Sequence, residues 1–259
     1  MAPPASIPNY GHALDRLFGR QKEVAELRSR LAQRKSFVLH GPPGSGKTFL
    51  LWHVIPKFSR VLYCSDSSNP RAVFREIAVQ LLRDNNRRAA RALSRSSNDV
   101  RQKSTIALRG IAMDALHEAH YSVILDHLRC PSAALASDIR ALMHRGNTCV
   151  IAVARSSHME ELGYIAPYFV LQSEQMELKN LNRKDALAFA KSFADEMALV
   201  ASNRQDFLSS AAELGDGAPG AIVSMIKMAV LPRYRCADHI KVSPLYIDFR
   251  LAWHSANAY

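Results

Sequence analysis

The sequence predicts an α/β protein with a parallel five-stranded sheet flanked by helices and a small helical domain after it. Between residues 36 and 172, short apolar runs alternate with segments whose apolar residues recur at helical spacing. This alternation is typical of parallel sheets joined by crossover helices. From Met176 onward the spacing is helical. We therefore expect an extended lead-in over residues 1–13, a sheet core over residues 14–175 and a C-terminal helical lid over residues 176–259.

The apolar runs predict the positions of the five strands: 36–40, 60–65, 121–126, 148–154 and 168–172. The lid is predicted to hold helices over residues 183–199, 204–214 and 219–231. A last helix is expected to begin near Ser243 and Pro244, because Ser is a preferred cap and Pro a preferred first helical residue. Residues 85–101 lose the apolar periodicity of their neighbours, so we expect an exposed or partly disordered insertion there.

The composition favours a globular protein with a sizeable core. The chain has 259 residues, of which 48% are hydrophobic, and no apolar run approaches the roughly 18 residues that a membrane-spanning helix needs. The amino terminus lacks the basic and apolar regions of a signal peptide. The four cysteines are scattered, without metal-binding spacing. These features predict a cytoplasmic protein without a membrane partner, structural disulfides or a zinc site.

The first predicted strand leads into a glycine-rich loop that matches the P-loop pattern G-x-x-x-x-G-K-[ST]. The matching residues are Gly41, Pro42, Pro43, Gly44, Ser45, Gly46, Lys47 and Thr48. Glycines let the backbone turn its N–H groups toward an anion, and the positive end of the following helix favours the same charge. We expect Lys47 to reach the β- and γ-phosphates and the Thr48 hydroxyl to bind Mg²⁺. The motif therefore predicts a site for ATP or ADP with Mg²⁺.

A carboxylate follows the third predicted strand. The largely apolar run 121–125 ends at Asp126, which is the form of a Walker B motif, and we expect Asp126 to hold Mg²⁺ together with Thr48. His127 comes next. It could act as a weak general base, because imidazole exchanges protons near neutral pH, or it could be inert in a protein that hydrolyses ATP slowly. The second alternative is favoured, and Asp66, after the second strand, is a more remote substitute base.

A second pattern precedes the glycine-rich loop. Residues 18–23 have the sequence F-G-R-Q-K-E, which is an h-G-R-x-x-E box. With the P-loop and the Walker B carboxylate, this box resembles AAA+ and STAND-type P-loop NTPases over nearly the whole chain. In those ATPases the box wraps the adenine, so the resemblance implies that Phe18, Gly19 and Arg20 contact the base. Most AAA+ proteins have a Glu where this chain has His127, and this departure implies slow hydrolysis.

The resemblance assigns two more residues. Arg155 follows the strand 148–154, which in AAA+ proteins lies between the P-loop and Walker B strands and ends in the sensor 1 residue. An arginine there looks more like the STAND class, and it would stabilise negative charge in the transition state. A "G-x-P" sequence that ends at Pro219 resembles the STAND lid motif, whose proline packs near the adenine; a plain helix start is an equal alternative. Gly220 and Ala221 stand where AAA+ proteins usually have the sensor 2 arginine.

Positive charge is concentrated in one segment. The net charge is +11, and residues 71–110 hold ten Lys or Arg against three Asp or Glu. A field of this kind favours polyanions, although a solvated basic helix or a flexible loop with no ligand is an equal alternative. The candidate nucleic-acid contacts are Arg87, Arg88, Arg91 and Arg95.

Two functions follow from these patterns. The first is an Mg-ATP-binding ATPase that acts as a nucleotide-driven switch, with a catalytic group of Lys47, Asp126, His127 and Arg155. The second is an ATP-regulated DNA-binding adaptor that resembles the AAA+ helpers of transposition and replication and uses the basic segment. A P-loop kinase is disfavoured, because no acceptor-binding constellation is visible. A homo-oligomer or a protein partner stays open for both functions.

Overall fold

The computed structural model describes residues 17–93, 97–144 and 148–257, so the predicted lead-in and Arg95 lie outside the described residues. The chain divides into two compact units. The sheet unit comprises residues 26–41 and 54–177, and the described part of the helical unit comprises residues 17–25, 42–53 and 178–257. The domain boundary between residues 175 and 176 stays a prediction.

The sheet unit contains a five-stranded parallel sheet, which confirms the predicted fold class. Its strands are β1 (Phe37–His40), β2 (Val61–Cys64), β3 (Ser122–Leu125), β4 (Cys149–Ala154) and β5 (Gln175–Glu177). The spatial order is β2-β3-β4-β1-β5, so β4 lies between β1 and β3, as predicted. The strands β1 to β4 are buried almost throughout. Burial on both faces is why they appear in the sequence as apolar runs.

The predicted position of the fifth strand, at residues 168–172, is wrong. Around this position the chain forms two 3-10 helices, Gly163–Tyr168 and Gln172–Glu174. Val170 and Leu171 are exposed, so the apolar run does not enter the core. The strand that pairs with β1 is β5. It has three residues, of which only Met176 is buried, and such a strand leaves no apolar run in the sequence.

Eight α-helices occur in the described residues between Gln21 and Leu162. They are α1 (Gln21–Ala32), α2 (Lys47–Val54), α3 (Pro70–Arg83), α4 (Arg87–Ala92), α5 (Ser97–Gln102), α6 (Thr105–Ala119), α7 (Ala133–His144) and α8 (Met159–Leu162). The start of α3 shows how the local sequence determines where a helix begins. The Asn69 side chain accepts a hydrogen bond from the Ala72 N–H, and Pro70 is the first helical residue.

Many side chains in the described part of residues 85–101 are exposed, in line with the expectation of an exposed or partly disordered insertion, but the segment is helical. This segment forms α4 and most of α5, and it buries Ala89, Leu93 and Val100 completely. These three residues belong to the same apolar cluster as Phe74 and Leu108. Short helices that bury so few side chains show no clear apolar period, so charge dominated the sequence pattern.

The helical unit contains α9 (Arg183–Glu196), α10 (Arg204–Leu214), α11 (Pro219–Ala229) and α12 (Val242–Asn257). These positions confirm the predicted helices to within a few residues. A hairpin of β6 (Arg235–Cys236) and β7 (His239–Ile240), which is too short for a sequence signal, precedes α12. The unit has its own apolar cluster, which includes Phe193, Phe207 and Ile222. Across the described part of the chain, no helix is both long and apolar enough to cross a membrane.

Candidate nucleotide-binding site

The glycine-rich loop begins where β1 ends and leads directly into α2. The strand stops at His40 and the helix starts at Lys47, so the strand, turn and helix that the motif requires are all present. Gly44 and Gly46 have φ angles of +76° and +95°, which residues with side chains rarely adopt. A Cβ at Gly46 would meet no atom within 4 Å. The backbone is therefore open to close approach at this point.

The loop offers donors that suit a phosphate. The Lys47 ammonium donates to the Pro42 carbonyl at 3.1 Å, and the Ser45 N–H donates to the same carbonyl at 3.2 Å. The Ser45 hydroxyl is buried and has no hydrogen-bond partner among the described residues. Buried hydroxyls normally have one, and an oxyanion in the loop would supply an acceptor. An ammonium, an orphaned hydroxyl and an open glycine therefore fit a bound phosphate chain.

Arg20, predicted to contact adenine, supports the loop. It is buried, and its guanidinium donates to the Ser45 carbonyl at 3.0 Å, to the Lys179 carbonyl at 2.6 Å and to the Glu23 carboxylate at 3.1 Å. A planar group with several fixed donors can hold such partners in one geometry. Arg20 thus ties the loop backbone to the start of α1 and to the segment before α9.

Phe18 and Gly19, the other residues of the predicted adenine box, pack against α9. The rings of Phe18 and Phe189 are arranged edge to face, with their centroids 5.9 Å apart. The Asp185 side chain covers Gly19 so closely that a Cβ there would lie 2.2 Å from its Oδ2. Contact of the box with adenine stays a prediction.

Two helices of the helical unit contact the loop at Gly44. The Gly220 N–H, at the start of α11, donates to the Gly44 carbonyl at 2.9 Å. A Cβ on Gly220 would lie 2.9 Å from the Gly44 Cα, and a Cβ on Gly44 would lie 2.7 Å from the Trp253 ring on α12. Pro219 is the first residue of α11, and its contact with adenine stays a prediction. The close packing explains why no side chain, and so no arginine, can stand at position 220.

The sequence analysis missed Trp253, because in the sequence it is only one apolar residue of an amphipathic helix.

Asp126 lies directly after β3 and is 1% exposed. The Tyr63 hydroxyl donates to its Oδ2 at 2.6 Å, and the His127 N–H donates to its Oδ1 at 2.7 Å. The carboxylate is therefore held from both sides. Tyr63 was also missed, because it reads as one more apolar residue of a buried strand.

His127 has a left-handed backbone, with φ of +55°, and its side chain is 68% exposed. Its Nε2 lies 3.9 Å from Asp126 Oδ2. The substitute base Asp66 accepts hydrogen bonds from the Ser68 hydroxyl and N–H. These bonds lower the pKa of the Asp66 carboxyl, and a lower pKa makes it a weaker base.

Arg155 directly follows β4, and it lies beside Gly41, which directly follows β1. The Gly41 N–H donates to the Arg155 carbonyl at 3.2 Å, so the strand alignment brings these two predicted site residues together. The Arg155 guanidinium lies 3.9 Å from Glu161 Oε1. Its role as a sensor stays a prediction.

The predicted metal ligands have suitable chemistry, since hydroxyl and carboxylate oxygens are what Mg²⁺ prefers. Thr48 lies in the first turn of α2 in the helical unit, whereas Asp126 belongs to the sheet unit. That they hold one Mg²⁺ together stays a prediction.

The basic segment contributes exposed arginines on α4. Arg87 and Arg91, four residues apart, are exposed and share one helical face. With Asn85 and Ala90 they line an open depression of about 310 Å³. Arg88 differs, because its charge is paired with Glu118 and Asp114. Among the three candidate contacts that the structure describes, Arg87 and Arg91 therefore present the positive charge.

Solved structures of several other proteins superimpose on this chain, and three of them illustrate the similarity. The Walker-type ATPase of Pyrococcus abyssi superimposes with a TM-score of 0.61 at 15% identity, over 93% of this chain and 73% of that one. The ORC1 protein of Aeropyrum pernix, solved in complex with DNA, superimposes with a TM-score of 0.66 at 14% identity, over 97% of this chain and 68% of that one. The RuvB Holliday junction branch migration motor of Thermotoga maritima superimposes with a TM-score of 0.53 at 16% identity, over 93% of this chain and 73% of that one.

These similarities show that the chain has the α/β fold of these structures, with a five-stranded parallel sheet like that of P-loop NTPases. No protein-family model and no curated protein matches the sequence. The STAND subclass stays a prediction.

The contact between Gly44 and Gly220 can be tested with the change Gly220→Ala. The added methyl group collides with the loop backbone, and we expect the free energy of unfolding to fall by about 1–3 kcal/mol. Gly110→Ala is the matched control, because a Cβ on this exposed glycine of α6 meets no atom within 4 Å. That control should raise stability by about 0.5–1 kcal/mol. Urea denaturation measures both, and equal stabilisation by the two changes would contradict the close packing.

Proposed function

We propose that this chain is a nucleotide-driven switch that binds Mg-ATP and hydrolyses it slowly. The observation that carries the proposal is the loop between β1 and α2, with positive φ at Gly44 and Gly46 and open space at Gly46. Such a backbone directs N–H groups toward an anion at the positive end of a helix. The AAA+ fold supports a nucleotide as that anion.

The residues take distinct roles in this proposal. Lys47 binds the β- and γ-phosphates as a point charge, and Arg20 keeps the loop in shape through the Ser45 carbonyl. Thr48 and Asp126 would hold Mg²⁺, which when bound neutralises phosphate charge. Arg155 would stabilise charge on the γ-phosphate, as in the STAND class.

Slow hydrolysis is proposed because no strong base follows Asp126. The His127 side chain is largely exposed, and its backbone N–H already serves the Asp126 carboxylate. Asp66 is a weak base because Ser68 lowers its pKa. Without a positioned base the attacking water is poorly activated, and general-base catalysis typically contributes about 10²- to 10⁴-fold. A long-lived ATP state suits a switch.

The switching proposal rests on the contacts of Gly44. Gly220 on α11 and Trp253 on α12 both touch this loop residue. A nucleotide that turns the loop amides inward changes the surface against which they pack. The ligand can then bias these helices, provided that it prefers one loop conformation over the other. Loss or hydrolysis of the nucleotide would reverse the bias.

A second candidate function is ATP-regulated binding of DNA. It is favoured by one observation, the exposed pair Arg87 and Arg91 in a segment with a large positive excess. The ORC1 structure of similar fold contains DNA. Phosphate contacts by two arginines would position a duplex without reading its sequence.

Lys47→Ala tests the nucleotide site. Removing the ammonium should weaken Mg-ATP binding by roughly 100-fold, because a charge-assisted contact to phosphate is lost. Isothermal titration calorimetry measures the affinity, and circular dichroism checks that the fold persists. Lys57→Ala, which removes an equal charge from an exposed site, should leave the affinity unchanged. Full ATP affinity in the Lys47 variant would refute the site.

His127→Glu tests slow turnover. A carboxylate at this position should raise kcat for ATP hydrolysis at least about 10-fold, since it supplies the missing base. His127→Gln is the control, because its amide cannot accept the proton of water. Steady-state phosphate release gives both rates. The proposal is wrong if the natural protein already turns over within the ordinary range of about 1–10³ s⁻¹.

Salt dependence tests the DNA candidate. If Arg87 and Arg91 each neutralise a phosphate, the double change Arg87→Ala with Arg91→Ala should reduce the slope of log K against log salt by about 2. Fluorescence anisotropy with a labelled duplex measures this slope. The control pair, Lys184→Ala with Lys191→Ala, removes two exposed charges from α9. An equal effect of both pairs, or no binding at low salt, would reject α4 as the DNA surface.

A further inference from the structure

The geometry points to Tyr63 as a positioning residue that holds the Asp126 carboxylate ready for the Mg²⁺ of a bound nucleotide. This inference rests on the proposed function and deepens it. Tyr63 lies on β2, Asp126 follows the neighbouring strand β3, and both are buried within the sheet unit.

The central contact is the bond from the Tyr63 hydroxyl to Asp126 Oδ2, at 2.6 Å. A short bond from a hydroxyl to a charged oxygen is among the stronger hydrogen bonds in proteins. The His127 N–H donates to the other oxygen at 2.7 Å. With one donor on each oxygen, the carboxylate plane cannot rotate freely. A carboxylate oxygen carries two lone pairs, so accepting one hydrogen bond does not by itself prevent a carboxylate from meeting a metal or its water.

Tyr63 itself is held at its backbone. The strand β2 is at the edge of the sheet, so no strand in the described part of the chain lies beside its outer N–H and C=O groups. Gln80 on α3 takes that place: its side-chain oxygen accepts from the Tyr63 N–H at 2.9 Å, and its amide donates to the Tyr63 carbonyl at 2.8 Å. Gln80 is itself buried. A buried amide pairing with both backbone groups of one residue fixes that residue firmly.

A second side chain of α3 fastens the same strand end. The Glu76 carboxylate accepts from the Ser65 N–H at 2.6 Å and from its hydroxyl at 2.9 Å. Glu76 and Gln80, one helical turn apart, therefore attach α3 to β2 on both sides of the strand's last residue. The chain of contacts runs from α3 through the Tyr63 backbone to its hydroxyl and on to Asp126. Hydrogen-bond partners that orient a metal-binding carboxylate typically alter metal affinity when they are removed.

Tyr63→Phe tests this role, because it removes only the hydroxyl and keeps the ring. Binding of the fluorescent analogue mant-AMPPNP is measured with Mg²⁺ and with EDTA in place of the metal. The Mg²⁺-dependent tightening of binding should shrink by about 10-fold, or disappear if it is smaller than that. The Kd in EDTA should stay within about 2-fold, because the phosphate-binding loop is unchanged. This split separates lost metal positioning from general damage to the site, which would weaken both values.

Tyr121→Phe is the matched control. It removes the hydroxyl of another buried tyrosine, one that precedes β3 rather than facing its carboxyl end, and it should leave the Mg²⁺ effect intact. Gln80→Leu is the second variant. It frees the Tyr63 backbone but keeps its hydroxyl, so it should cause a smaller loss of the same Mg²⁺-dependent kind.

The outcomes are distinguishable. If the natural protein binds the analogue more tightly with Mg²⁺ and Tyr63→Phe keeps that full effect, Tyr63 does not position Asp126 and this inference alone is overturned. Equal losses in Tyr63→Phe and Tyr121→Phe overturn it as well. If the natural protein does not bind the analogue in either buffer, the proposed function fails and the inference fails with it. A loss confined to Mg²⁺ in Tyr63→Phe and Gln80→Leu supports it.

Discussion

The candidate site depends on the parallel alignment of β3, β4 and β1. Parallel strands end at one edge of a sheet, so residues that follow them become neighbours even when they are far apart in the chain. The Gly41 N–H bonded to the Arg155 carbonyl is direct evidence of this alignment. Asp126 follows the next strand, and its N–H in turn donates to the Cys64 carbonyl at the end of β2. The strands keep this alignment because they are buried on both faces. The same apolar packing therefore forms the hydrophobic core and brings the site residues together.

Close backbone packing in the helical unit sets the second constraint. Gly44 and Gly220 approach so closely that neither position has room for a Cβ, and the Trp253 ring lies over the same glycine. The Gly220 N–H and the Trp253 ring therefore contact the loop directly. Under the proposed function, such contacts would respond to the conformation of the loop, as a switch requires.

Supporting residues divide into those that the sequence could reveal and those that it could not. Arg20 stood out because it belongs to a recognisable box, yet its contacts with the Ser45 and Lys179 carbonyls depend on distant parts of the chain meeting. Tyr63 carries no local signal, because a tyrosine in a buried strand is common and only the neighbouring strand shows what its hydroxyl meets. The helices α4 and α5 were hidden for a related reason, since a segment that buries Ala89, Leu93 and Val100 among many charges has no regular apolar period.

Local rules were sufficient for the sheet class, strands β1 to β4, the glycine-rich loop and the helices α9 to α12. Apolar periodicity, capping residues and glycine spacing act over a few neighbouring residues, and all of them are visible in a single chain. The position of β5, the brace from Arg20, the packing of Trp253 on Gly44 and the bond from Tyr63 to Asp126 were decided by tertiary structure. Each of these depends on which side chains or strand edges meet after the chain has folded back on itself, and no local pattern encodes that meeting.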